Sequence, residues 1–131
     1  MTDILLIEDE TALLTALTRA LSRCGYSVLT ACNGKVGLDL LAKHRFRLVI
    51  TDIFMPEKDG LEVIMKQRAA RPDTPILAMS GYRGYSDIPT VLKMAESLGS
   101  RKTLIKPFCL FDFLEAVYVL VNETYTPPRP T

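Results

Sequence analysis

Cysteine is scarce in this chain of 131 residues: Cys24, Cys32 and Cys109 are odd in number and show no C-x-x-C spacing. A disulfide scaffold is excluded. All three fall within apolar-patterned segments and read as small buried hydrophobes in a reducing compartment. Histidine is scarcer still, since His44 is the only one. It follows an apolar helical stretch, which suits a partial cation at a helix C-terminus better than a catalytic group. A surplus of one charge is also missing, with 16 Lys+Arg against 15 Asp+Glu and a formal net charge of +1. No global field would draw the protein onto nucleic acid or an anionic membrane. Long apolar runs are absent as well, none approaching the ~18 to 20 residues of a spanning helix. Met1-Thr2-Asp3 lacks the basic stretch that opens a secretory signal, so the expected location is cytoplasmic, with no membrane contact.

Apolar residues suited to a core are plentiful. Hydrophobic residues make up 48% and charged residues 24% of the sequence, which excludes the composition of a disordered chain. The length fits one domain. That domain is expected over residues 1–124, followed by a proline-rich flexible tail at 125–131, where Pro127, Pro128 and Pro130 cannot continue a helix.

The aliphatic run Ile4-Leu5-Leu6-Ile7 is too short for a helix and stops at Glu8-Asp9-Glu10, as a buried strand would. Leu13, Leu14, Leu17, Leu21 and Cys24 then recur at helical spacing, with Gly25 placed as a left-handed C-terminal cap. Tyr26 to Ala31 is β-rich, and Asn33-Gly34 signals a turn before Val36, Leu40 and Leu41 trace a weaker helix. Leu48-Val49-Ile50-Thr51 is the third strand and ends at Asp52. Past the Asp59-Gly60 turn, Leu61, Ile64, Met65 and Arg68 mark a helix that Asp59 is placed to cap and that Pro72 and Pro75 end. Ile76 to Met79 is a fourth strand ending at Ser80. The next helix has Asp87 near its start, Pro89 in its first turn and Gly99 after its end. Thr103-Leu104-Ile105 is a short fifth strand ending at Lys106-Pro107, and Leu110, Phe113, Leu114, Val117 and Val121 mark a last helix. Strands apolar on both faces, alternating with helices, predict an α/β fold. The expected architecture is a doubly wound five-stranded parallel sheet with five helices, in the flavodoxin-like order 2-1-3-4-5.

Such sheets bind ligands beyond the carboxyl ends of their strands. Glu8 and Asp9 end the first strand, Asp52 the third, Ser80 the fourth and Lys106 the fifth. Three converging carboxylates repel one another unless a cation sits among them, and a hard divalent ion such as magnesium suits that donor set. Asp52 is then placed as a nucleophile toward a phosphoryl group, while Lys106 supplies a fixed positive charge and Ser80 a hydrogen bond to its oxygens. Each residue alone reads equally as a cap, a turn residue or a solvated charge. Their ordered occurrence at four strand ends favours the site.

The stretches ILLIED (4–9), LVITDIFMPEKDG (48–60), AMSG (78–81) and LIKPF (104–108) resemble the receiver domain of two-component response regulators, over essentially residues 3 to 123. The resemblance implies that Asp52 is the phosphoacceptor and that Glu8 and Asp9 bind the metal, magnesium or manganese in its place. The backbone carbonyl of Phe54 would be a further ligand. Ser80 matches the switch hydroxyl, Lys106 the phosphate-pairing lysine, and Pro107 a proline that follows a cis peptide bond. The implied protein is a single-domain regulator and a phosphoacceptor rather than an enzyme, with its own self-phosphorylation and autodephosphorylation chemistry. Its phosphodonor would be a sensor histidine kinase or a histidine phosphotransfer protein. Its output would pass to a downstream protein, or to a second copy in a homodimer, through the face made by the fourth helix, fifth strand and fifth helix. Phe111 and Tyr118 are the aromatics expected to be exposed there.

The pattern departs in two places. Thr103 stands where the switch aromatic is usual, and the stretch from Ser80 to Lys106 is a few residues longer than is typical of the family, with Tyr82 or Tyr85 as candidate substitutes for the missing ring. Among rivals, a flavodoxin-like nucleotide binder needs a phosphate loop where Glu8-Asp9-Glu10 stands. An aspartate-based phosphatase wants a second acid where Phe54 stands. The alternative that remains is a receiver-like interaction module with a vestigial site.

Overall fold

A computed structural model of the chain describes residues 1–55, 60–81 and 88–123. The order of elements is β1 (Thr2–Ile7), α1 (Thr11–Arg23), β2 (Val28–Ala31), α2 (Gly34–Lys43), β3 (Phe46–Asp52), α3 (Gly60–Ala70), β4 (Ile76–Ser80), α4 (Ile88–Leu98), β5 (Lys102–Ile105) and α5 (Leu110–Asn122). All pairings are parallel, and the sheet runs β2-β1-β3-β4-β5.

The strands are apolar on both faces because both faces are covered. Ile4, Leu6, Leu48, Ile50, Leu77 and Met79 point to one side and pack on Leu17 and Leu21 of α1 and on Phe113, Ala116, Val117 and Leu120 of α5. Leu5, Ile7, Val49, Ile76 and Ala78 point to the other and meet Val63 and Ile64 of α3 and Ala95 of α4. A slip of one residue in any strand would exchange these two sets, so register rests on how these particular side chains fit the two helix layers. Register in turn fixes which side chains end the strands side by side.

The helix boundaries have local causes. Gly25 and Gly99 take positive φ, +92° and +132°, in the turns that follow α1 and α4. Asn33 does more than turn the chain: its side chain accepts a 2.9 Å bond from the Val36 N–H and caps α2. At the other end His44 is the C-cap of α2, the position read for it from sequence. The strands differ slightly from expectation, β2 starting at Val28 rather than Tyr26 and β3 reaching from Phe46 to Asp52.

The reading of the cysteines as buried is overturned, because all three are exposed. Each sits at the end of an element, just off the apolar stripe: Cys24 caps the C-terminus of α1, Cys32 follows the last residue of β2, and Cys109 caps the N-terminus of α5. Asp59, Asp87, Tyr82, Tyr85 and the tail at 125–131 lie outside the described residues. Among the described residues, no helix is long and apolar enough to cross a membrane.

Asn33→Ala should lower stability by about 1 kcal/mol, since it strips one N-cap and touches nothing at the strand ends. Urea unfolding of the two proteins checks this, and an unchanged midpoint would show that the cap contributes nothing.

Candidate functional site

Backbone pairing brings the polar residues together. The Glu8 N–H donates to the Ala31 carbonyl at 3.0 Å, the Ile53 N–H to Met79 at 2.9 Å and the Lys106 N–H to Ser80 at 2.7 Å. These bonds extend the parallel ladders past the last apolar residues, so that the side chains beyond them emerge at one edge. The Lys106–Pro107 peptide is cis, as the family resemblance implied.

Glu8 and Asp52 are buried, at 0% and 1% exposure. The Lys106 ammonium reaches both, donating to Glu8 Oε1 and, at 3.2 Å, to Asp52 Oδ2. Asp9 completes the group: carboxylate oxygens of Glu8, Asp9 and Asp52 all lie within 4.8 Å of one another. Ser80 is buried at the end of β4, and its Oγ has no hydrogen-bond partner among the described residues. Phe54 lies half-buried two residues beyond Asp52. Thr103, in mid-strand on β5, is also half-buried. A cleft of about 850 Å³ opens beside the cluster, lined by Asp9, Glu10, Leu13, Gly81, Lys106, Pro107 and Phe108.

Two contributors left no sequence signal. The Thr51 hydroxyl donates to the Asp52 carbonyl at 2.9 Å, and the Glu10 N–H donates to Glu8 Oε2 at 3.2 Å. Both depend on backbone direction at a strand end, which residue type does not reveal.

The electrostatics are unbalanced. Burial pushes the Glu8 carboxyl up to about 7, with the Lys106 bond pulling it down and the nearby Asp52 charge raising it. Burial also raises Asp52, against the opposing pull of Lys106. For Lys106, burial disfavours the ammonium, but the bond to Glu8 and the charge of Asp52 outweigh it and its pKa stands above the ordinary value. With all three carboxylates ionised, one ammonium leaves two negative charges, the complement of one divalent cation. The donors are all oxygens, which fits magnesium. The unpartnered Ser80 hydroxyl fits an incoming oxygen-rich group.

A family model, the response regulator receiver domain, matches residues 4–118. The chain belongs to that family. Among curated relatives, the response regulator MprA of Mycolicibacterium vanbaalenii is 36% identical over 121 residues, covering 92% of this chain and 51% of that protein. The DNA-binding transcriptional regulator NtrC of Azospirillum brasilense is 36% identical over 125 residues, covering 95% of this chain and 25% of that protein. The receiver domain described here thus spans about half the length of its MprA relatives and a quarter of NtrC. Among solved structures, a CheY-like receiver domain protein from Methanospirillum hungatei superposes with a TM-score of 0.84 at 26% identity, covering 95% and 96% of the two chains. Receiver domains of this family serve two-component signalling.

The raised carboxyls give a signed pH dependence. An acid whose folded-state pKa is raised stabilises the fold in its protonated form. That contribution is complete below the ordinary value of 4.5 for Glu8 and is lost as pH rises through about 7. Without divalent cation, the receiver domain should therefore lose stability as pH rises from about 4.5 to about 7. Glu8→Gln should flatten that slope in urea titrations, and an unchanged slope would show that another group is responsible.

Proposed function

We propose that Asp52 accepts a phosphoryl group from a phosphohistidine on a sensor histidine kinase or histidine phosphotransfer protein. The observation that carries this is the Asp52 carboxylate, buried at the end of β3, bonded to Lys106 at 3.2 Å and grouped with Glu8 and Asp9. An Asp52 oxygen attacks phosphorus, the O–P bond forms, the P–N bond breaks, and its electron pair stays on the imidazole nitrogen. Lys106 faces the added negative charge, and the Ser80 hydroxyl is free to donate to a phosphoryl oxygen. Glu8, Asp9, Asp52 and the Phe54 carbonyl would hold magnesium, or manganese in its place. That ion, when bound, neutralises charge on the transferring oxygens. Water later attacks phosphorus and breaks the O–P bond, which returns the carboxylate and inorganic phosphate.

The domain acts as a phosphoacceptor in the cytoplasm, over residues 1–124, and signals as a single-domain regulator through phosphorylation-dependent protein contacts. The face made by α4, β5 and α5 suits that output. Met94 on α4, Ile105 on β5 and Val119 on α5 are exposed apolar groups of these elements. Phe111 and Tyr118 are 71% and 64% exposed and do not serve the core, but Tyr118 lines a pocket with Cys24, Gly25 and Tyr26, so it lies on the α1 side of α5 and the expectation that it belongs to the output face is overturned. A downstream protein or a second copy could use it. A vestigial module is disfavoured by the intact pairing of Lys106 with two buried acids, because an unused buried charge cluster would only destabilise the fold.

Incubation with magnesium and a small phosphodonor should raise the intact mass by one phosphoryl group in wild type and not in Asp52→Asn. An Asp52→Asn protein that gains the group at the wild-type rate would falsify the acceptor assignment.

A further inference from the structure

The Asp52–Lys106 pair is flanked by two glycines that ordinary backbone conformation does not require. Neither Gly60 nor Gly81 takes positive φ. Gly60 opens α3 directly beneath the end of β3. A Cβ there would stand 2.1 Å from the carbonyl oxygen of Asp52, 2.6 Å from the Ile53 Cα and 2.9 Å from the Asp52 carbonyl carbon. These are backbone atoms, so no rotamer relieves the clash, and only a shift of the strand end could. The first turn of α3 is also tied to that segment, the Gly60 N–H donating to the Ile53 carbonyl at 2.8 Å.

Gly81 follows Ser80 and faces the lysine. Its Cβ would lie 3.2 Å from Cβ and 3.5 Å from Cδ of Lys106. Here the neighbour is a side-chain stem, which would have to give by a few tenths of an ångström. The ammonium at its tip is set between Glu8 and Asp52, so movement of the stem changes that pairing.

We propose that both are positioning residues for phosphoryl transfer, Gly60 fixing the peptide of the nucleophile and Gly81 the stem of the lysine. This rests on the reading of Asp52 as acceptor. The competing reading is that both only allow close packing. Gly37 supplies the control, since a Cβ there would lie 2.5 Å from Ile7 Cδ1, and the nearest atoms it meets all belong to that core side chain rather than to Glu8, Asp52 or Lys106.

The test compares Gly60→Ala, Gly81→Ala and Gly37→Ala in the full chain by urea stability, by titration with magnesium alone, and by the maximal rate of phosphoryl uptake from a small donor. Gly60→Ala should weaken magnesium binding about tenfold, as loss of a supporting contact to a metal ligand does. Its rate should fall on the order of 100-fold, the scale of a misplacement near 1 Å. Gly81→Ala should keep magnesium affinity within about twofold and lose roughly tenfold in rate, because only the lysine moves. Gly37→Ala should lose stability with affinity and rate within about twofold of wild type, because it presses on a core side chain that turns away from the strand-end groups.

If the first two variants change affinity and rate no more than Gly37→Ala does, positioning is overturned. Should Gly60→Ala not fold, Gly81→Ala decides, since it meets only a movable stem, and a wild-type rate in that variant overturns the proposal. A wild-type chain that takes up no phosphoryl group contradicts the acceptor reading instead. The magnesium titrations still decide whether Gly60 positions Asp52.

Discussion

Lys106 bonds two buried carboxylates at once, Glu8 and Asp52, and it can do so only because the first, third and fifth strands end in line. Its single charge does not balance the three acids gathered there. Burial makes the imbalance expensive, since it raises both Glu8 and Asp52 and leaves the cluster short of its full charge near neutral pH. A cation bound among these acids would therefore stabilise the fold, and a change in charge at Asp52 would alter the balance of the cluster. Energy withheld from the fold is available to binding, a trade common at functional sites.

The rest of the molecule keeps that cluster in place. Two apolar layers clamp β1, β3 and β4 from both sides, and neither can be displaced without exposing a core. Around this clamp the edge strand β5 is the looser element: four residues long, it has no fully buried position, and Ile105 is half exposed. Lys106 is carried by that edge strand and Asp52 by the central strand β3. A change in the bond between Asp52 and Lys106 would therefore act on a strand with no fully buried residue.

Much of this was legible in residue order. The aliphatic runs named the strands because a doubly buried strand needs no alternation, and the polar residue stopping each run named the site. Glu8, Asp9, Asp52, Ser80 and Lys106 are brought to one edge as expected. What escaped depends on a displacement of one residue or on atoms that are missing. Cys24, Cys32 and Cys109 look apolar in sequence but sit just past the stripe, where a helix or strand has already ended. Gly60 reads as a turn residue, and its contact with the Asp52 carbonyl is set by how closely α3 approaches β3, a tertiary distance that spacing along the chain does not encode. The bond from Thr51 to the Asp52 carbonyl is hidden for the same reason.

The dependence of the whole site on an uncompensated charge is tested most directly by thermal unfolding of the wild-type domain at slightly alkaline pH over increasing magnesium. A cation that binds only the folded cluster should raise the midpoint steadily with the logarithm of its concentration once the site begins to fill. A midpoint that magnesium leaves unmoved up to concentrations well above physiological would contradict the claim that these three carboxylates await a divalent ion.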